Sequence, residues 1–229
     1  MEIRVTVVAC LFAIGLPHAA RAQSALSADA NRAVQITQAR QANAALMHQY
    51  TWMSRTEILK EGQIKDNRLE MCYYDPFGRL QRTLMNDQSA PLPFGFLRRA
   101  IAEDERKKME EYLTGLRGLI EQYTLPTTGK ILDFMTSAQT VGPNAQGLLQ
   151  MTGNNVVQPG DSLTLWVNAS TRHLTRVQVN TTFQGNPVQL DATFNTLASG
   201  LNYMAYAEAT VPNMQLSVQV QDFNYTRQN

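Results

Sequence analysis

The side chains that could do chemistry are few and scattered. His48 and His173 are the only histidines after the amino-terminal segment. One falls at a helix end and the other beside a turn, and neither has a partner at His-x-x-x-His or Cys-x-x-Cys spacing, so no zinc site is expected. The chain has no Gly-x-Ser-x-Gly elbow, no phosphate loop and no Gly-x-Gly-x-x-Gly fingerprint. Asp133, Asp161 and Asp191 each have an ordinary use as a helix, turn or surface residue. Nothing in their spacing marks the paired carboxylates of a glycosidase. Cys72 lies in a strand pattern and reads as a small buried hydrophobe. The expectation is therefore no catalytic residue, no metal and no cofactor: a protein that is not an enzyme.

What remains is apolar patterning, and the elements that carry it dominate the last third, Gln146 to Arg227. Leu163, Leu165 and Val167 alternate with polar residues, as do Val177, Val179 and Phe183, then Val188, Leu190, Ala192 and Phe194. Tyr203, Ala205, Ala207 and Ala209 continue the series, and Leu216, Val218 and Val220 close it. Successive strand side chains point to opposite faces, so this describes five or six antiparallel strands with one apolar and one wet face. Turn signals at Pro159-Gly160-Asp161, Asn168 to Thr171, Gln184 to Pro187, Leu197 to Asn202 and Pro212-Asn213 join them into a meander.

Upstream, Ser27 to Gln49 has helical composition with a stripe of small residues, Ala30, Ala33, Val34, Thr37, Ala42, Ala45 and Leu46, suited to close packing on a sheet. Strands follow at Tyr50 to Lys60, Ile64 to Tyr74 and Arg79 to Met85, the last two joined by the turn Asp75-Pro76-Phe77-Gly78. In the second strand, Leu69, Met71 and Tyr73 share the apolar face. Arg68, Glu70 and Cys72 share the other, where Arg55, Glu57, Arg68, Glu70, Arg79 and Arg82 suit cross-strand ion pairs. A Pro-containing loop, Asn86 to Gly95, leads into the clearest helix, Leu97 to Tyr123, with Leu97, Ile101, Tyr112, Leu113, Leu116, Leu119, Ile120 and Tyr123 at three- and four-residue spacing. Pro126 stops it, and Thr127 or Thr128 caps a shorter helix. The fold class expected is α+β: a single curved antiparallel sheet, an open half-barrel, with helices packed on its concave face.

Met1 to Ala22 reads as a secretory signal peptide, with Arg4, the apolar run Val5 to Leu16 and cleavage after Ala20-Arg21-Ala22, leaving 23–229 as a single domain. Cys10 follows Val7-Val8-Ala9 as in a lipoprotein box but sits too early for lipidation to be the favoured reading. No later run is long and apolar enough to span a bilayer. The chain has 20 Lys and Arg against 19 Asp and Glu, and loss of Glu2, Arg4 and Arg21 leaves it balanced, so nothing steers it toward nucleic acid or anionic lipid. The expected location is periplasmic or secreted.

Three stretches carry a resemblance to a known family. They are the first helix running into Tyr50-Thr51-Trp52, the hairpin Tyr74-Asp75-Pro76-Phe77-Gly78-Arg79-Leu80, and the strand Leu163-Thr164-Leu165-Trp166-Val167-Asn168 that returns at Leu174-Thr175-Arg176-Val177. In these the chain resembles the bacterial lipoprotein-carrier fold of the LolA and LolB type, shared by the RseB regulators, and a group of exported proteins of unassigned function. The resemblance implies a half-barrel whose helices plug a concave side that holds an acyl chain or lipopeptide. Leu69, Met71, Tyr73, Leu165, Val179, Phe194, Tyr203 and Val218 are spaced to line that side. The expected function is binding of a lipid, lipopeptide or lipoprotein. The alternative is an interaction or envelope-sensor module with a filled core and a protein partner.

Overall fold

The computed structural model describes residues 17–87, 96–124 and 127–228. The chain runs α1 (Pro17–Met47), β1 (Tyr50–Lys60), β2 (Gln63–Tyr74), β3 (Leu80–Asp87), α2 (Phe96–Glu121), α3 (Thr128–Ser137), β4 (Gln139–Val141), β5 (Leu148–Asn154), β6 (Ser162–Asn168), β7 (Leu174–Phe183), β8 (Asn186–Thr196), β9 (Asn202–Val211) and β10 (Leu216–Arg227). The strands form one ten-stranded sheet ordered β3-β2-β1-β10-β9-β8-β7-β6-β5-β4. Each pairing is antiparallel. The sheet does not close, since β3 and β4 are its two edges, and with three helices it is an open α+β fold.

The hairpins follow from local chemistry. Glu61-Gly62 and Gln184-Gly185 connect β1 to β2 and β7 to β8 with positive φ at both positions (56° and 73°, 49° and 78°). That turn geometry matches the right-handed twist of the flanking strands, and glycine enters it without a Cβ penalty. At the β2–β3 turn the Asp75 carboxylate accepts the backbone N–H groups of Phe77 and Arg79 at 2.9 and 3.0 Å. The chain then closes on itself through β1 and β10, which pair from Tyr50 opposite Arg227 to Lys60 opposite Leu216.

That pairing decides which side chains share a face. Ile58 lies opposite Val218, Val218 opposite Ala209, Ala209 opposite Leu190, Leu190 opposite Val179, and Val179 opposite Leu163. This row belongs to the inner face, on which the helices pack. Under Tyr123, Ile131 and Phe134 lie Leu163 and Val179, with Leu119 and Ala33 completing the cluster. Tyr112 and Leu116 of α2 cover Val188, Val211 and Leu216. Fully burying a side chain of this size contributes about 1.5–3 kcal/mol, and Leu163, Val179 and Val188 are at most 1% exposed.

Three expectations are corrected. Arg55 lies opposite Leu69, Met53 opposite Met71 and Thr51 opposite Tyr73, whereas Ser54 and Trp52 lie opposite Glu70 and Cys72. Because Ser54 also lies opposite Asp222, on the Leu216–Val218–Val220 face of β10, the inner face takes Glu70 and Cys72. Leu69, Met71 and Tyr73 therefore point outward. The Arg82–Glu70 ion pair forms at 2.9 Å, on the inner face rather than the outer one. Third, the small-residue stripe of α1 does not lie along the sheet. Ala33 is buried against the α2–α3 cluster and Thr37 Oγ1 meets Thr128 Oγ1 at 3.0 Å, while Val34, Ala42 and Ala45 are exposed. Residues 1–16 of the expected signal, residues 88–95 of the Pro-containing loop and the side chains of Leu97 and Ile101 lie outside the described residues.

Candidate functional site

The inner face has two halves. From β5 to β8 it is covered by α2 and α3, and α2 reaches on over Val211 of β9 and Leu216 of β10. Leu165 and Val179, expected to line a binding face, are packed there against the cluster of Leu119, Tyr123, Ile131 and Phe134. Val218 shares the face at β10, between Ile58 and Ala209. Phe194 is half-buried opposite Met204 at an irregularity in the β8–β9 pairing. Tyr203 lies against the Tyr225 ring, with centroids 4.2 Å apart. Of the eight residues read from the sequence, the fold thus places Leu165, Val179 and Val218 on one surface. Leu69, Met71 and Tyr73 lie on the other.

The second half, a wing built by β10, β1, β2 and β3, carries a different set. Trp52 stacks on Tyr225 at 5.8 Å with ring planes 7° apart and lies 5.9 Å from Tyr74, while Tyr50 meets Tyr225 edge-on at 6.4 Å. His48, from the end of α1, stacks on Tyr74 at 4.3 Å. Trp52, Ser54 and Cys72 are buried beside this group. Farther out on β3, apolar side chains on the same face emerge into solvent, Leu80 at 37% and Leu84 at 52% exposure.

The wing also holds polar atoms removed from water. Asp222 Oδ1 and Tyr225 Oη are shielded and have no hydrogen-bond partner among the described residues. Burial pushes the Asp222 carboxyl above the usual carboxylate range, against the Ser54 hydroxyl and the Arg82 guanidinium, which favour its charged form. Burial likewise pushes the Tyr225 phenol well up, with Asp222 adding to it, and raises the Cys72 thiol to about 11. A thiol held so high is a poor nucleophile, which fits a packing role.

A separate polar network anchors the covered half. Asp161, 2% exposed, accepts the backbone N–H groups of Val156, Val157 and Gln158 at 2.6, 2.9 and 2.8 Å, and the Tyr123 hydroxyl at 2.7 Å. Tyr123 also lies 2.8 Å from Thr181 Oγ1, which accepts from Gln158 Nε2 at 2.6 Å. Burial alone would raise the Asp161 carboxyl. The Gln158 N–H, Tyr123 and the other N–H donors outweigh it and hold the group below its ordinary value. This network pins the β5–β6 loop to the 3-10 turn that follows α2, and beside it an open groove of about 380 Å3 runs between α3 and residues Asn154 to Val157.

Among the described residues, no three of His, Cys, Asp and Glu are grouped so as to hold a metal ion. No described helix is long and apolar enough to cross a membrane.

No protein-family model and no curated protein matches the chain. Among solved structures it is similar to the crystal structure of a DUF1329 family protein from Desulfovibrio piger. That alignment covers 88% of this chain and 92% of the other at 9% identity, with a TM-score of 0.36.

Sequence reasoning picked out Tyr203 but missed the rest of the wing's aromatic group and Asp222. A signal for the aromatic group existed in the concentration of Tyr50, Trp52, Tyr74 and Tyr225 near the ends of three strands. None existed for Asp222, which reads as one more polar residue beyond the alternation that ends at Val220.

Proposed function

We propose that this protein is a non-enzymatic binding protein of the bacterial envelope. Its ligand is an acyl chain, lipid or lipopeptide, held on the inner face of the sheet. One contrast carries this reading. On the same face, Leu163 and Val188 under the helices are 0% and 1% exposed, whereas Leu84 on β3 is 52% exposed. The sheet extends past its own cover, and the surface it leaves carries Leu80 and Leu84 beside the Arg82–Glu70 pair, backed by Trp52, Tyr74 and Tyr225. An acyl chain laid along it would remove apolar area from water at about 25 cal/mol per Å2, so several carbons supply several kcal/mol. The binding surface is accordingly the wing, with Val218 and Leu84, while Ile58 packs against the α2 cluster. The residues under α2 and α3 are core. The expected signal peptide and periplasmic location belong to the same proposal.

A second reading is favoured by the β3 edge. Leu80, Leu84 and Met85 are exposed on an edge strand, the turn beside it carries Phe77 at 83% exposure, and an edge of this kind can pair with an added strand from a protein partner. Native mass spectrometry of protein purified from a bacterial periplasm, followed by denaturing lipid extraction, separates the two. A stoichiometric acylated ligand is the expected result. A bare mass, with no displaceable uptake of a fluorescent fatty acid, overturns the carrier reading and leaves the edge.

A further inference from the structure

The outer face bears a second feature that the lipid reading does not use. Across β7, β8, β9 and β10, Gln178, Asp191, Glu208 and Gln219 stand directly opposite one another in sequence. One residue pair along, Asn180, Gln189 and Thr210 form a parallel row. Between the rows lies an open groove of about 300 Å3, lined by Gln178, Asn180, Gln189, Asp191, Glu208 and Thr210 with Leu190.

Two carboxylates facing each other on adjacent strands repel, and such pairs ordinarily destabilise a sheet. Here each is held in one orientation by donors of its own. Asp191 takes a bidentate contact from Arg176 and the Gln178 amide at 2.9 Å. Glu208 takes the Ser217 hydroxyl at 2.7 Å, the Gln219 amide at 3.1 Å and the Tyr206 hydroxyl at 3.4 Å. The result is a row of fixed, planar acceptors and amides, with the exposed Gln189 and Asn180 amides along its rim. Burial is incomplete and the lining residues, Leu190 apart, have polar side chains, so a lipid is a poor fit. Arg176, the cation beside the groove, is engaged by Asp191, which leaves it poorly placed for phosphate or sulfate. A ligand rich in hydroxyls, which both donate to carboxylates and accept from amides, satisfies every group present.

We propose that the groove between β7, β8 and β9 on the outer face is a second binding site, for a chain of neutral sugars. The strands it crosses are two inter-strand steps apart, about 10 Å, a span suited to two linked pyranose rings. The site lies on the opposite face from the proposed lipid surface, so either can fail without the other.

The test is isothermal titration of the whole protein with neutral cello-, malto- and chito-oligosaccharides and, separately, with an oligolysine peptide. At least one oligosaccharide is expected to bind, with affinity changing less than about twofold across a tenfold rise in salt, because a neutral ligand makes no screened charge contact. Gln189→Ala, at an exposed position, is expected to weaken binding about tenfold, the effect of losing one good hydrogen bond, and Thr210→Arg to abolish it by filling the groove. Leu84→Glu, on the other face, leaves it unchanged. No binding by any oligosaccharide, equal binding by wild type and both groove variants, or salt-sensitive binding of oligolysine alone would each overturn the proposal.

Discussion

Ser54 on β1 lies directly opposite Asp222 on β10, and its hydroxyl hydrogen-bonds a carboxylate whose other oxygen has no partner among the described residues. The pair sits where the first strand of the chain meets the last. Burial raises the folded-state pKa of Asp222 above its unfolded value, so the fold binds the proton more tightly than the unfolded chain does. The stability this contributes is complete below the unfolded carboxylate pKa and is lost as pH rises through the folded one. Asp222→Asn should therefore stabilise the protein at neutral pH and lose that advantage in acid. Ser54→Ala should cost about 1–3 kcal/mol at neutral pH. Urea unfolding of both variants across pH 3 to 8 measures this; a wild-type advantage over Asp222→Asn that grows with pH would refute it.

Asp161 has the opposite sign. Its folded pKa is held low, so its contribution is present above the unfolded carboxylate pKa and disappears as pH falls through the folded value. Asp161→Ala removes the acceptor for three backbone N–H groups and the Tyr123 hydroxyl, with an expected loss of about 3–5 kcal/mol. Asp161→Asn keeps the volume and should recover part of it. Chemical denaturation at pH 7 and pH 3 checks both size and sign.

Gly153 on β5 touches Phe134 of α3. A Cβ built there would come within 2.7 Å of the Phe134 ring, and one at Gly115 of α2 within 2.7 Å of Phe183. Gly153→Ala is expected to destabilise by about 1–3 kcal/mol through overpacking. In a double-mutant cycle, Phe134→Leu should relieve most of that cost; additive losses would show that the two do not share a tight contact.

Leu84 and Leu163 share a face but not a fate. Leu163→Ala, in the covered half, is expected to cost about 2–5 kcal/mol. Leu84→Glu, at an exposed position, should change stability by less than about 0.5 kcal/mol while abolishing uptake of a fluorescent fatty acid. Retained uptake would move the lipid surface off the wing.

Cys72 should resist alkylation in the native protein. It is 0% exposed and its thiol is pushed up to about 11 by burial, with Glu70 and Asp222 adding to the shift against Arg82. Iodoacetamide at pH 8, followed by intact mass, should label it only in denaturant. Rapid native labelling would show that the wing opens.

Much of this architecture was legible in the chain. Alternation from Leu163 onward marked the meander. Asp75-Pro76-Phe77-Gly78 marked the β2–β3 turn, and the spacing of Tyr112, Leu116, Leu119 and Tyr123 marked the helix face that is now buried. These are local effects, written within a few residues by strand pleat, helical period and turn chemistry. The assignment of faces in β2 was not local. Leu69, Met71 and Tyr73 alternate as cleanly as Leu163 and Leu165, yet they turn outward because β1 pairs with β10 in a register that aligns Ser54 with both Glu70 and Asp222. A shift of one residue would reverse every side chain on the strand. The candidate site shows the same division. That the sheet has an apolar side needing cover follows from the sequence by itself. Where the cover stops, leaving Leu84 exposed while Leu163 is sealed, was decided only when a contact between the two ends of the chain set the width of the sheet against the reach of its helices.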